Sequence, residues 1–572
     1  MHLNDEQQDI VFNYPNGIIV EASPGTGKTT TLVARALHKI ELLPKYRKIA
    51  LITYTNAGTD EIASRLANHN DTFIGTIHRF CLQYILRPYS WIYDWGKLNI
   101  LSYENQLNFF ELNRDIDLGD SPTDELNKIK KKLDGSFDMD ISWNHEISLE
   151  EVIERYIYFL EEIKCIDFNE ILYRSYKIIN ENNFVVTALA HKFYEILIDE
   201  FQDTNIFQYQ IFKKINEIDV TTFFMVGDEK QKILRFAGAI DNAFSSAQID
   251  FSIPLHCLVR IYRSTNNIVE AYSIIFDEHP RINNESSLRD LDIKLLVREF
   301  NYGNNKLEIN INYTVDYLVD HCGIKLDEIA ILSKTWFDSL NVSSYLRQKY
   351  NIVGLGALPH SMKNVKDSTF ELMKNLVKFK LHGSSKNLKS IKRSFEDHLN
   401  ENNINLDIDE HILITNQLIK RFRELDESLN LGDGIDSIQN VFDELLFIEH
   451  NTFQVIKDEI KEDEILFWTL EKYFKTLSSI DGILSTTIHQ SKGLEFDAVI
   501  LNQMNVGKVP HQNWNPQIRE HESLTDENYE DGKNIFYVGL SRARKHVIIL
   551  HNFKPSIFVE KLNEFGMLDE HF

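Results

Sequence analysis

Residues 22–30 read ASPGTGKTT, between an apolar run, IIVE (18–21), and a helix-forming run, TLVARALHKI (31–40). Strand, glycine-rich turn and helix in that order form the setting in which a chain cradles phosphates. The pattern GxxxxGK[ST] is met with Ala22 at its first position. Gly25 and Gly27 let the backbone curl so that its N–H groups face phosphate oxygens, and the helix start adds partial positive charge. Ser23, Pro24, Gly25, Thr26 and Gly27, with Lys28, Thr29 and Thr30 at the head of the helix, make up the candidate cradle. Lys28 is suited to the β- and γ-phosphates of ATP, and Thr29 to its Mg²⁺.

A second chemical signal is ILIDEFQDT (196–204), an apolar strand ending in adjacent acids. Such acids fall at the carboxyl edge of a parallel sheet, beside a phosphate loop. Asp199 is suited to hold Mg²⁺, and Glu200 to orient and deprotonate the attacking water. Together the two motifs point to nucleoside triphosphate hydrolysis. A third stretch, GDEKQKILRFAGA (227–239), follows the strand-like TTFFMV and carries a lone aromatic, Phe236. That ring is either a plug returning to the core or a flat surface for a base.

These motifs must sit on a large scaffold. At 572 residues, several domains are expected, and 43% hydrophobic with 11% aromatic content belongs to a packed globular protein. The net charge of −25 argues against coating nucleic acid through bulk electrostatics, though not against a locally basic groove. Cys81, Cys165, Cys257 and Cys322 lie far apart, so neither a zinc ribbon nor a disulfide framework is expected. No apolar run approaches a membrane span, and MHLNDEQQDI lacks a secretory h-region, so a cytoplasmic protein with no membrane role is expected.

An ordered series of motifs resembles the UvrD/Rep-like branch of superfamily 1 helicases over most of the chain. LNDEQQDIV (3–11) is similar to the family's Q motif, which implies that Gln7 reads the adenine edge. ITYTNAGTDEIASRL (52–66) and GTIHRFC (75–81) resemble its DNA-contacting motifs, with Tyr54, Thr55, Asn56, Thr76 and His78 as the implied contacts. VRIYRST (259–265) resembles motif IV, placing Arg263 at the γ-phosphate. IHQSKGLEFDAVIL (488–501) resembles motif V, with His489 and Lys492 facing the DNA strand and Glu495 at the nucleotide sugar or magnesium shell. IFYVGLSRARKHVIIL (535–550) resembles motif VI, making Arg542 the arginine finger. In this frame 227–239 resembles motif III: Gln231 senses the γ-phosphate, and Phe236 stands where the family carries a base-stacking tryptophan. Leu234 and Ala237 replace a frequent tyrosine and arginine, which implies a looser hold on single-stranded DNA.

The resemblance implies an α/β protein of two RecA-like P-loop motor domains with parallel sheets, each interrupted by a mainly helical insertion. The expected first motor is 1–87 with 187–258 and its insertion 88–186; the second is 259–379 with 479–572, with a shortened insertion at 380–478. Arg263, Glu495 and Arg542 are thereby expected on the second motor. KIKKKL (128–133), within the first insertion, is equally a solvated face or a DNA-backbone contact. The implied activity is an ATP-dependent translocase moving 3′→5′ on single-stranded or tailed DNA by closure of the two motors. The short second insertion and the absence of a nuclease signature imply a partner, a nuclease or a repair or defence subunit; compact size is similar to the helicase subunit of Gabija-type phage defence. The alternatives are a DNA-stimulated ATPase switch in a defence complex, and a P-loop NTPase without helicase activity, against which TNAGTDEI and HQSKGLEF count.

Overall fold

A computed structural model describes residues 3–569 except 55, 67–70, 97–98, 102, 119–121, 140, 142, 144, 235–237, 278–282, 300–305, 348, 355–367, 402–403, 405, 447–452, 455, 458–467, 479–481, 516–519 and 553. The chain divides into two compact units, Met1–Asp292 and Ile293–Phe572.

The first unit is built on six strands: β1 (Ile18–Ala22), β2 (Lys48–Thr53), β3 (Thr72–Thr76), β4 (Phe193–Ile198), β5 (Thr222–Gly227) and β6 (Leu255–Leu258). Their order is β3-β2-β4-β5-β1-β6, and every pairing is parallel. Apolar residues crowd both faces because helices cover both sides, as a parallel sheet requires. Ile18, Val20 and Leu51 pack on one side with Leu32 and Val33 of the helix Lys28–Glu41, whereas Ile19, Ala50 and Ile52 pack on the other with Phe80, Phe193 and Phe212.

The insertion at 88–186 is mainly helical, with helices Tyr103–Leu112, Leu149–Glu162 and Phe168–Glu181. Its outer part has its own core, including Phe109, Val152 and Tyr156. Its inner helix does not: Ile171, Ile178 and Ile179 join Phe193 and Ile196 in the motor core. KIKKKL follows the short helix Pro122–Asn127 and runs into a short hairpin, with Lys131 bridged to Phe137.

Residues 259–292, expected in the second motor, belong to the first unit. The reason is local: the Arg260 guanidinium pairs with Glu6 at 3.3 Å, the Tyr262 N–H donates to the Gly25 carbonyl at 2.8 Å, and the Asn4 amide donates to the Tyr262 hydroxyl at 2.6 Å.

The main sheet of the second unit has seven strands among the described residues: β7 (Leu295–Glu299), β8 (Ile329–Ser333), β9 (Ile352–Gly354), β10 (Ile483–Thr487), β11 (Phe496–Leu501), β12 (Ala543–His551) and β13 (Leu568–Asp569). Their order is β9-β10-β8-β11-β12-β7-β13, again wholly parallel. Helices between Ser368–His382 and Leu470–Ser478 close a separate core around Leu376, Phe395, Phe422 and Tyr473. That core includes Phe370, Leu372 and Met373, ahead of the expected boundary at 380. No helix among the described residues is long and apolar enough to cross a membrane.

Candidate active site

Parallel strands bring their carboxyl ends to one edge, and in the first unit the chemistry-bearing segments leave from that edge. The phosphate loop follows β1, Tyr54 and Asn56 follow β2, Thr76 ends β3, Asp199 and Glu200 follow β4, and Asp228 to Gln231 follow β5.

The phosphate loop takes the expected shape. Gly25 and Gly27 have φ of 76° and 87°, the left-handed region that a Cβ disfavours. Gly25 also needs space: a Cβ there would lie 2.6 Å from the Arg263 Cβ. Arg263 thus packs directly on the loop, from within the first unit rather than from the second. Thr26 turns its hydroxyl back to the Ser23 carbonyl at 2.8 Å, and Thr31 does the same to Gly27 at 3.0 Å. The Lys28 ammonium is buried without a hydrogen-bond partner among the described residues. An unsatisfied buried cation beside a ring of backbone N–H groups fits the phosphates of ATP.

Gln7 is buried against this loop. Its amide donates to the Thr26 carbonyl at 3.1 Å and accepts from the Asn4 N–H at 3.1 Å, closing a capping box on the helix Asp5–Phe12. The structure therefore gives Gln7 a loop-bracing role, through an amide that donates at one end and accepts at the other.

Glu200 has φ 52° and ψ 46°, a strained conformation for a residue with a side chain. Its N–H is held by the Asp199 carboxylate at 3.0 Å, and Phe201 anchors the turn in the core against Phe244. Gln202, which sequence reasoning gave no role, joins two motifs. It donates to Glu200 Oε2 at 2.6 Å and accepts from the Asp228 N–H at 3.0 Å. Asp228 in turn accepts from the Gln231 amide at 2.8 Å. Gln202, Asp228 and Gln231 are all buried. Gly227 makes room for the link, since a Cβ there would meet Gln202 Oε1 at 2.1 Å. The only signal in the sequence was the glycine at a strand end opposite a glutamine. Tyr272 is buried between Asp228 and Arg263; burial first, and then the Asp228 charge, push its phenol up while Arg263 opposes them.

The P-loop helix is tied to the acid-bearing strand by a fully buried ion pair. Arg35 contacts Glu195 of β4 at 2.7 Å, and its remaining N–H groups reach the carbonyls of Val11 and Tyr14. Thr222 of β5 also donates to Glu195, at 3.1 Å.

Of the expected DNA contacts in this unit, Tyr54 is 41% exposed and Thr76 caps the helix Ile77–Cys81. Asn56 opens the helix Asn56–Arg65. His78 meets Phe168 edge-on at 5.2 Å, and burial lowers its pKa to about 4. Thr55 and Phe236 lie outside the described residues. Nearby in the described residues, Lys232 reaches the Ile240 carbonyl at 2.7 Å and Asp241 at 2.6 Å.

In the second unit, His489 follows β10 and Lys492 is buried in the turn that precedes Gly493, whose φ is 84°. Arg542 is buried, with its guanidinium held by the Val538 and Leu494 carbonyls and the Ser541 hydroxyl. Glu495 faces Arg544 at 3.5 Å, an arginine that also binds Asp497 at 2.7 Å and Glu328.

Comparison with known proteins agrees with this geometry. Residues 3–252 match the UvrD/REP helicase N-terminal domain, and residues 360–553 match the UvrD-like helicase C-terminal domain. A probable DNA helicase II homolog of Mycoplasma pneumoniae is 23% identical, over 99% of this chain and 87% of its own length. The ATP-dependent DNA helicase Rep of Buchnera aphidicola is 22% identical over 96% and 93%, and the ATP-dependent DNA helicase PcrA of Bacillus subtilis 22% over 97% and 83%.

Proposed function

The chain belongs to the UvrD/Rep helicase family and is an ATP-dependent DNA helicase, and from that premise we propose that it moves 3′→5′ along single-stranded DNA and works in the cytoplasm with a nuclease or a repair or defence subunit. The observation that supports ATP-coupled movement best is the hydrogen-bonded chain from Glu200 through the buried Gln202 and Asp228 to Gln231. It joins the residue proposed to activate water to the segment that leads, in sequence, to Phe236.

In this reading Lys28 and Arg263 bind the β- and γ-phosphates, and Glu200 takes the proton of the attacking water. Arg542 stabilises charge on the transferring phosphoryl group. Mg²⁺, for which Thr29 and Asp199 are the proposed ligands, supplies charge neutralisation on the phosphates. Gln231 reports the γ-phosphate to the motif III loop. Tyr54, Thr55, Asn56, Thr76, His78, Phe236, His489 and Lys492 grip DNA through phosphates and stacked bases.

The test compares strand separation on 3′-tailed and 5′-tailed duplexes, with ATPase measured with and without single-stranded DNA. Separation confined to the 3′-tailed duplex is expected. Unwinding only from a 5′ tail would reverse the polarity, and DNA-stimulated turnover with no separation would replace the translocase with a switch.

A further inference from the structure

The lysine run 128–133 builds a feature that no motif describes. Lys131 and Phe137 form an antiparallel bridge, Lys132 N–H donates to the Ser136 carbonyl at 2.7 Å, and Asp138 N–H donates to Lys130 at 2.8 Å. The turn of this hairpin is fixed: Gly135 has φ 89°, and a Cβ there would lie 2.3 Å from the Tyr173 hydroxyl. Lys131 is committed to this seat, paired with Glu170 at 2.8 Å and lying over the Tyr173 ring at 4.5 Å.

Lys130 and Lys132, with Lys131 between them, line an open cavity of about 520 Å³ that Asn169, Asn205 and Gly238 also border. A Cβ on Gly238 would lie 3.7 Å from the Lys130 ammonium, so the hairpin touches the motif III loop two residues from Phe236 in sequence. Lys132 pairs with Asp138 at 3.3 Å with both side chains well exposed, a pair weak enough to exchange for another anion. Asp134, capped by Ser136, is the other acid of the cavity wall.

We infer that the hairpin 130–138 is a DNA-backbone contact, in which Lys130 and Lys132 bind phosphates of the single strand beside the motif III loop. This rests on the reading of that loop as a DNA contact. Two features favour DNA over a free anion: the cavity is open and bordered by Gly238, and its three lysines outnumber Asp134 and Asp138 on a chain of net charge −25, where such a wall is a local exception. Phosphate contacts of this kind position the strand without reading its sequence.

The experiment measures binding of the full chain to a labelled oligothymidylate across a salt series. Each lost phosphate contact should flatten the slope of log K against log salt by about 0.7. Lys130→Ala and Lys132→Ala are each expected to do so, while Lys130→Arg and Lys132→Arg keep the slope and DNA-free ATPase stays unchanged in all four. Lys128→Ala is the control, since that residue pairs with Glu125 and does not line the cavity. Slopes equal to wild type in both alanine variants overturn the inference, as does loss only in variants whose DNA-free ATPase also falls. If the wild type itself does not bind the oligonucleotide, the underlying DNA reading fails instead.

Discussion

Gln202 Nε2 lies 2.6 Å from Glu200 Oε2, while the other end of the same amide holds the Asp228 N–H. One buried side chain therefore fixes the orientation of the candidate general base and registers it on the motif III segment. Gln202→Ala removes a hydrogen bond to a charged group, worth about 1.5–3 kcal/mol. Turnover should fall by about 10- to 100-fold with the KM for ATP little changed. Gln202→Glu sets a second carboxylate beside Glu200, which raises the pKa of the pair, so the acid limb of the pH–kcat curve should move to higher pH. Wild-type turnover and pH profile in both variants would remove Gln202 from the mechanism.

Lys28→Ala takes away the buried ammonium of the phosphate loop, and kcat should drop by about 10²- to 10³-fold with weakened ATP binding. Glu200→Gln should retain nucleotide binding, followed by a fluorescent ATP analogue, while hydrolysis falls by about 10²- to 10⁴-fold. Retained turnover in Glu200→Gln would mean that a different carboxylate activates the water.

Gly25→Ala meets two obstacles at once, the positive φ and the Arg263 Cβ at 2.6 Å. ATP affinity should fall because Arg263 and the loop must separate. Calorimetric titration with a non-hydrolysable analogue tests this; unchanged affinity would show that the loop tolerates the shift.

Arg35→Ala leaves the Glu195 carboxylate buried without its guanidinium, a loss of about 3–5 kcal/mol. Because the chain has two units, this should appear as a lowered denaturant midpoint of one transition of the full chain rather than as a uniform shift. A double change of Arg35 and Glu195 to methionine should recover part of the loss, and failure to do so would point to the carbonyl contacts of Arg35 instead.

The His78 ring has a folded-state pKa of about 4, below its ordinary 6.5, because burial disfavours its charge. Between those values the unfolded chain binds a proton that the folded chain does not. Stability from this group is complete above pH 6.5 and is lost as pH falls towards 4, by at most about 1.4 kcal/mol per pH unit. The unfolding free energy of wild type minus that of His78→Leu should fall as pH drops through that window and stay constant above it. A difference constant across it would show that His78 titrates normally.

The local signals in the sequence were strong where backbone chemistry is local. ASPGTGKTT between an apolar run and a helix-former determined the phosphate loop, because glycine is required at φ 76° and 87° and the crossover helix must follow. The apolar run before DEFQDT became a strand because buried parallel strands read as unbroken apolar segments. The order of motifs along the chain determined the family. What the sequence did not determine is which distant residues share a surface. Arg263 follows the first sheet by only a few residues, yet its place against Gly25 depends on the Arg260–Glu6 pair and on the close approach that a glycine permits. The Glu200–Gln202–Asp228 link joins the ends of neighbouring strands separated in sequence by a helix, and only pairing of β4 with β5 brings them within hydrogen-bond range. The lysine run was ambiguous because its direction is set by how Gly135 seats on Tyr173, a contact made across the fold and not along the chain.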